Sequence, residues 1–584
     1  MNTATKQIQL VAYAVSTAVG SGKTRAAIEY IASPDHAHQN FIYVAPTIRL
    51  IEQTAENLRS RILANESDRD VDLIHSESKP MEGVPVSVQT TDMINEAAPD
   101  SGRVVILTTT TFLKIISDLR TPQHWRVIID EGFTPIEFLK VHLGERAEKG
   151  LDHFLDVFAI DASKCHRVIP AWGQEDWVET LATQGLRKAG EQYTTSQPLA
   201  TAVHNDIMRC EMVMTPKTKA ILGRTYTDVP FDPANPKRVA SESEFLIARY
   251  VTPDWIGRFG EVVFMSALFE KTMLHQFWTR LFGVAFIDHP AFPKDGLRNI
   301  HEDQGMHVYV GHLLHPEDNS SRYNLDRNID DGAPNQTEQG KRVIDQLVNL
   351  SAEYFKGQSF LLQTNNNYGY FSGSALMPQN AIKVPASSHG LNEFQDHDNV
   401  AALAVTNPNP QETRWLMEKI GLGLEETQMA FRLHTTYQAV GRSSIRKADP
   451  TSDKKVFLTV GYTDAMMLHD IFEGSTWLGQ VGGMTHLAGT HASSQPATVE
   501  TELSNEILSH LEGVSEETSK ISSRRIKELM SPTCGSSTWT RSIAIASELS
   551  NDWALVGQSF IRRDAAYYGF TGEDESELED LITD

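Results

Sequence analysis

Residues 16–24 read STAVGSGKT. The segment before them, QIQLVAYAVS, is apolar enough for a buried strand. The segment after them, TRAAIEYIA, carries apolar residues at helical spacing. Between strand and helix lies a tight turn holding Gly20, Ser21 and Gly22, with Lys23 and Thr24 at its exit. A strand, a glycine-containing turn and a helix N-terminus together form a cradle for phosphate, because backbone N–H groups and the positive helix end point at the same anion. In that reading Lys23 reaches the β and γ phosphates of a bound nucleotide and Thr24 holds Mg²⁺. The full pattern is G-x-x-x-x-G-K-[ST], and here Thr17 stands at its first glycine position.

A phosphate loop needs a partner carboxylate. WRVIIDEGF, residues 125–133, is an apolar strand that ends in Asp130 and Glu131. Asp130 is expected to reach Mg²⁺, and Glu131 to orient and deprotonate the attacking water.

The chain has 584 residues, too many for one hydrophobic core, so three or four domains are expected. Its three cysteines, Cys165, Cys210 and Cys534, form no CxxC pair, and its 21 histidines show no metal-ligand spacing. No apolar run reaches 18 residues, the length that argues for a membrane span. MNTATKQIQL has no cleavable signal pattern, so a cytoplasmic location is expected. The net charge of −24 disfavours an unselective nucleic-acid binder but not a locally basic groove. Residues 571–584, TGEDESELEDLITD, hold seven acidic and no basic residues and read as a solvated tail.

Further segments follow in a fixed order. They are APTIRLIEQ (45–53), LTTTTFLK (107–114), VVFMSALFE (262–270), SFLLQTNN (359–366), SSHGLNEF (387–394) and YQAVGRSSIR (437–446). With the phosphate loop and DEGF, they resemble motifs Ia, Ib, III, IV, V and VI of superfamily 2 (DExx-box) helicases, closer to the DEAH-like or phage-type branch than to DEAD-box proteins. The 16 residues before the loop leave little room for the adenine-reading glutamine motif of the DEAD-box branch. Two departures stand out: Leu268 replaces the usual Thr after Ser266-Ala267, and Arg446 falls one residue later than the second arginine of motif VI. Arg442 and Arg446, four apart, would share a helix face.

The resemblance implies an α/β protein with two RecA-like parallel-sheet domains that sandwich ATP and Mg²⁺. Gly20, Ser21, Gly22, Lys23, Thr24, Asp130 and Glu131 would come from one side, and Gln438, Arg442 and Arg446 from the other. Ser266 and Ala267 would couple the nucleotide to the strand. Thr47, Thr110 and Thr111, with Gly390 and Asn392, would hold the phosphates of a single-stranded or partly duplex nucleic acid, DNA favoured slightly over RNA. The implied activity is nucleic-acid-stimulated ATP hydrolysis driving translocation and unwinding; the alternative is a phosphate-loop ATPase acting as a remodeller or protein-binding switch.

The first motor domain is expected over 1–300, interrupted by a mainly helical insertion at about 137–255, where LDHFLDVFAI and DWVETLATQGLRKAG carry helical spacing. The second is expected over 301–485. Residues 486–570 then form a small helical or winged-helix-like domain, whose Arg524 and Arg525 are further candidates for nucleic-acid contact, with Ser522 as a helix cap. No membrane contact is expected, and a protein partner would use the insertion or the acidic tail.

Overall fold

The computed structural model describes residues 10–77, 84–142, 157–161, 166–184, 196–214, 218, 244–293, 296–328, 341–385, 394–447, 453–487, 499–512, 514, 520–530, 539, 542–543, 546, 553–556 and 559–562. Contacts divide the chain into two compact units, Met1–His486 and Leu487–Asp584.

The first unit opens with β1 (Val11–Thr17), β2 (Asn40–Ala45), β3 (Val71–Ile74), β4 (Val104–Thr108) and β5 (Trp125–Asp130). All six residues of β2 are buried, the signature of a parallel strand covered on both faces. Helices Lys23–Ala32 and Ile48–Ala64 cover one face through Ile28, Ile31, Ile51, Ala55 and Leu58.

The chain then leaves this sheet to build β6 (Ile136–His142), β7 (Phe158–Asp161), β8 (Arg167–Pro170), β9 (Met208–Met212) and β10 (Glu244–Val251). It returns through β11 (Glu261–Ala267) and β12 (Ala285–Asp288). The main sheet has the order β12-β1-β11-β5-β2-β4-β3, and every pairing is parallel.

The inserted segment departs from the helical texture read in the sequence. Its described frame is an antiparallel sheet, β6-β10-β9-β8-β7, carrying helices Glu175–Thr183 and Gln197–His204. DWVETLAT does form a helix, whereas the end of LDHFLDVFAI is strand β7. Long-range pairing supplies the frame: β6 joins β10 from Ile136↔Tyr250 to His142↔Glu244. A local helical spacing does not report such a partner.

A second parallel sheet follows, made of β13 (Val308–His312), β14 (Phe360–Gln363), β15 (Ala381–Val384), β16 (Asn399–Ala402), β17 (Lys455–Thr459) and β18 (Thr476–Gln480). Its order is β15-β14-β16-β17-β13-β18. The two parallel sheets with their covering helices are RecA-like α/β units. Helix Leu424–Val440 runs from the second toward the phosphate loop of the first, where Ala18 and Val19 pack with Tyr437, Ala439 and Val440.

The second unit holds helices Val499–Glu512 and Ser523–Met530 and the antiparallel strands β19 (Lys520–Ser522), β20 (Trp553–Val556) and β21 (Ser559–Arg562), in the order β19-β21-β20. Ser522 Oγ accepts the Arg525 N–H at 3.2 Å and so caps its helix. Trp539 and Trp553 are buried in this unit's core with Ile507 and Phe560. No described helix is long and apolar enough to cross a membrane.

Candidate active site

The phosphate loop leaves β1 at Thr17 and enters its helix at Lys23. Gly20 (φ 70°) and Gly22 (φ 93°) both adopt the left-handed backbone that glycine reaches without steric cost. A Cβ at Gly20 would also lie 3.1 Å from Arg446 Cγ, so the glycine makes room for an arginine of the second sheet. Thr17, at the unusual first position, bonds Ser21 side chain to side chain at 2.7 Å and pins the turn across its width.

Lys23 Nζ is buried and donates to Ala18 O at 2.8 Å. Burial lowers its pKa, while the charges of Glu131 and Asp130 pull it back up. Thr24 Oγ1 donates to Asp130 Oδ2 at 2.6 Å, and Tyr43 OH donates to the same oxygen at 2.5 Å. Burial, followed by the neighbouring Glu131 charge, raises the Asp130 carboxyl; those two hydrogen bonds and Lys23 oppose the rise. A buried tyrosine needs a partner for its hydroxyl. Tyr43 finds that partner in Asp130.

Glu131 has φ 59°, a left-handed conformation rare outside glycine, and its N–H donates to Met265 O at 2.8 Å. The bend turns its carboxylate toward the second sheet. Gln438 Nε2 donates to Glu131 Oε2 at 2.9 Å, and Arg442 Nη2 donates to Gln438 Oε1 at 3.1 Å. One continuous hydrogen-bonded line thus joins a carboxylate of the first RecA-like unit to an arginine of the second.

Arg442 and Arg446 do not share a helix face as expected. The helix stops at Val440, Gly441 packs against the side chain of Val19, and Arg446 lies in a separate 3₁₀ turn, Ser444–Arg446. Both arginines nevertheless line the same cavity of about 770 Å³ as Gly20, Lys23, Asp130 and Glu131. Burial, then the charge of Arg446, brings the Arg442 pKa down to about 10, and burial lowers Arg446 too. Lys23 and Arg442, both buried, and the half-buried Arg446 form a cationic wall suited to a polyanion.

Three residues outside the sequence reading tie this wall together. Arg298 donates from its backbone N–H to Arg298's neighbour across the loop, Ser21 O, at 3.2 Å and from Nη1 to Arg446 O at 3.0 Å. Tyr437 OH accepts the Val19 N–H at 2.9 Å, and His301 Nε2 lies 2.5 Å from the same hydroxyl. Burial, with the charges of Lys23 and Lys271, lowers the His301 pKa to about 4, so the ring is neutral and, with its proton on Nδ1, can accept a hydrogen bond from the tyrosine hydroxyl. Only Tyr437 had a signal in the sequence, its place beside Gln438.

Ser266 pairs with Ser16 and Ala267 with Thr17 in the β11–β1 register. Ser266 Oγ is enclosed without a hydrogen-bond partner among the described residues. Leu268 takes a left-handed φ of 49°, and its N–H donates to Thr17 O at 3.0 Å. The backbone of this motif therefore reaches the phosphate loop although its usual hydroxyl is missing.

The residues expected on nucleic acid do not gather in one described place. Thr47 caps the helix Ile48–Ala64 by accepting the Leu50 N–H at 3.3 Å. Thr110 is exposed, while Thr111 Oγ1 lies 3.0 Å from Thr108 Oγ1. These threonines follow the carboxyl ends of the neighbouring strands β2 and β4. Gly390 and Asn392 lie outside the described residues. Arg524 and Arg525 are exposed in the second unit, each paired with Glu528, at 3.2 and 3.5 Å.

Residues 5–167 match the family model described as "ResIII: Type III restriction enzyme, res subunit". No curated protein matches the sequence. Solved structures with a similar fold include an apo form of XPD, 12% identical with a TM-score of 0.40, covering 81% of this chain and 97% of that one. S. cerevisiae Dbp5 bound to RNA and ADP BeF3 is 11% identical with a TM-score of 0.30, covering 81% and 86%. The DEAD-box helicase Mss116 bound to ssRNA and UDP-BeF is 10% identical with a TM-score of 0.28, covering 92% and 83%. The family match takes in the phosphate loop and the Asp130-Glu131 strand end, and these line one cavity with Arg442 and Arg446 of the second RecA-like unit, an arrangement that supports a likeness to superfamily 2, the DExx-box helicase-type proteins.

Proposed function

We propose that the protein is an ATP-dependent nucleic-acid motor that couples hydrolysis to movement along a single strand and to duplex unwinding. The observation that carries this reading is the Glu131–Gln438–Arg442 line, which spans the two RecA-like units beside the phosphate loop.

In this reading the loop N–H groups and Lys23 hold the β and γ phosphates. Glu131 orients a water in line with the γ phosphorus and takes its proton as the new P–O bond forms and ADP leaves. Arg442 and Arg446 offset the charge on the transferring phosphoryl oxygens. Thr24 Oγ1 and Asp130 Oδ2, 2.6 Å apart, are oxygen donors of the kind a hard dication takes, so they are the residues to hold Mg²⁺. Bound Mg²⁺ would neutralise phosphate charge.

Catalytic groups come from both units, so hydrolysis requires a closed cleft and nucleotide state sets the cleft geometry. Alternating closure would move a strand held by Thr47, Thr110 and Thr111, hydroxyls suited to phosphate contact without base reading. The test measures ATP turnover with and without single-stranded DNA and single-stranded RNA, and strand displacement from a partly duplex substrate. Stimulation by either polymer together with displacement is expected. Turnover indifferent to both, with no displacement, overturns the motor reading in favour of an ATPase switch.

A further inference from the structure

The carboxyl edge of the second parallel sheet carries a cluster that ATP hydrolysis does not use. His315 follows β13, and His486 follows β18. These strands are parallel neighbours, and among the described residues β18 is the sheet's edge, paired with β13. Val481 N–H donates to His312 O at 2.7 Å, which carries the pairing past the end of β18 and brings the two exits together. His315, Glu317 and His486 each offer one ligand atom, all within 4.8 Å of one another. The two imidazole rings stand 5.3 Å apart at 62°.

We propose that His315, Glu317 and His486 form a binding site for a divalent transition metal, best suited to Zn²⁺. Two imidazoles and a carboxylate favour Zn²⁺ over Mg²⁺ or Ca²⁺, which take oxygen donors almost exclusively. Asp318 supplies the second observation. Its side chain is fully buried, and its carboxylate lies 2.8 Å from His486 Nδ1, the carboxylate–imidazole contact that orients a metal-ligating histidine. The 315–318 turn is fixed by the Asp318 N–H donating to His315 O at 2.9 Å, so the first ligand and the orienting carboxylate sit on one rigid turn.

Glu317 is exposed and His315 and His486 are half-buried, so side-chain rotation suffices to close on an ion at roughly 2.0–2.2 Å. The histidines are distant in sequence, which is why no spacing motif announced them. A bound ion would clip the edge strand to β13 at the point where the chain leaves for the Leu487–Asp584 unit.

The experiment uses the full chain, stripped with chelator. Zn²⁺ is titrated by calorimetry, and Co²⁺ by its visible absorption, on the parent, His315→Gln/His486→Gln and Asp318→Asn. The expected result is one Zn²⁺ equivalent and a Co²⁺ spectrum in the parent, both lost in the double variant. Asp318→Asn should bind roughly 10- to 100-fold more weakly. Circular dichroism and thermal melting without metal show whether each variant is folded; His315→Ala and His486→Ala singly replace the double variant if it is not. Equal Zn²⁺ stoichiometry and affinity in the parent and the folded histidine variants, or no Co²⁺ spectrum in the parent, overturns the site.

Discussion

Glu131 and Leu268 are non-glycine residues held at positive φ just past the ends of the neighbouring strands β5 and β11. Such conformations cost on the order of 1–3 kcal/mol and persist where the surroundings over-determine them. For Glu131 the surroundings are the bond to Met265 O behind it and the Gln438 amide in front. Glu131→Gln keeps the length of the side chain and an oxygen that can accept from Gln438. It loses only the base, so turnover should fall by roughly 10²–10⁴-fold while nucleotide still binds. Lys23→Ala removes a buried cation from the phosphate loop and should lose both turnover and binding. Equilibrium binding of a fluorescent ATP analogue beside a phosphate-release assay separates the two; normal turnover in Glu131→Gln would sink its assignment as base. Arg442→Ala and Arg446→Ala should each slow turnover by roughly 10³-fold while binding is largely spared, since an arginine at the transferring phosphoryl acts mainly on the transition state. Full activity in Arg446→Ala would leave that role to Arg442, which continues the Glu131–Gln438 line.

At the scale of elements, the helix Leu424–Val440 and the short helix Ile300–Gln304 meet over the phosphate loop through Tyr437 and His301. Tyr437→Phe leaves the Val19 N–H without this acceptor, a loss of about 1–3 kcal/mol for a buried donor. His301 adds a pH dependence. Its folded pKa, about 4, lies below the ordinary 6.5, so acid protonates the unfolded chain first. Its contribution to stability is complete above pH 6.5 and is lost as pH falls toward 4. Melting temperatures across that range should drop less steeply for His301→Gln, which can still accept a hydrogen bond from the tyrosine hydroxyl, than for the parent; parallel curves would show that the ring does not titrate with folding. Neither contact was legible in the sequence, because each joins residues more than a hundred positions apart. What was legible is local: the apolar runs of β1 and β5, the glycines of the loop, and the Asp130-Glu131 pair at a strand end. The expected helix face shared by Arg442 and Arg446 failed for a tertiary reason, since Gly441 ends the helix where it meets Val19. The antiparallel frame of the insertion was hidden in the same way, by the distance between β6 and β10.

At the scale of the whole molecule, the net charge of −24 makes the placement of basic groups informative. Within the first unit, several cations are engaged inside the protein: Lys419 pairs with Glu211 at 2.9 Å and Arg280 with Glu426 at 2.7 Å, both joining the first sheet or its insertion to helices of the second. In the second unit, Arg524 and Arg525 stand 88% and 63% exposed, and both share the single carboxylate of Glu528. Two guanidinium groups on one carboxylate leave net positive charge, and exposed pairs of this kind hold their partners weakly. A local basic spot on an acidic protein steers a polyanion to one place. On the motor reading, Arg524→Glu with Arg525→Glu should therefore weaken single-strand binding and flatten its salt dependence, each lost phosphate contact removing roughly 0.7 from the slope of log affinity against log salt. ATP turnover without nucleic acid should be unchanged, because the described residues that line the phosphate cavity belong to the first unit. A salt titration of single-strand affinity for the double variant and its parent decides the point: identical slopes would mean that this unit makes no phosphate contact through these arginines, and that the strand is held by the RecA-like units.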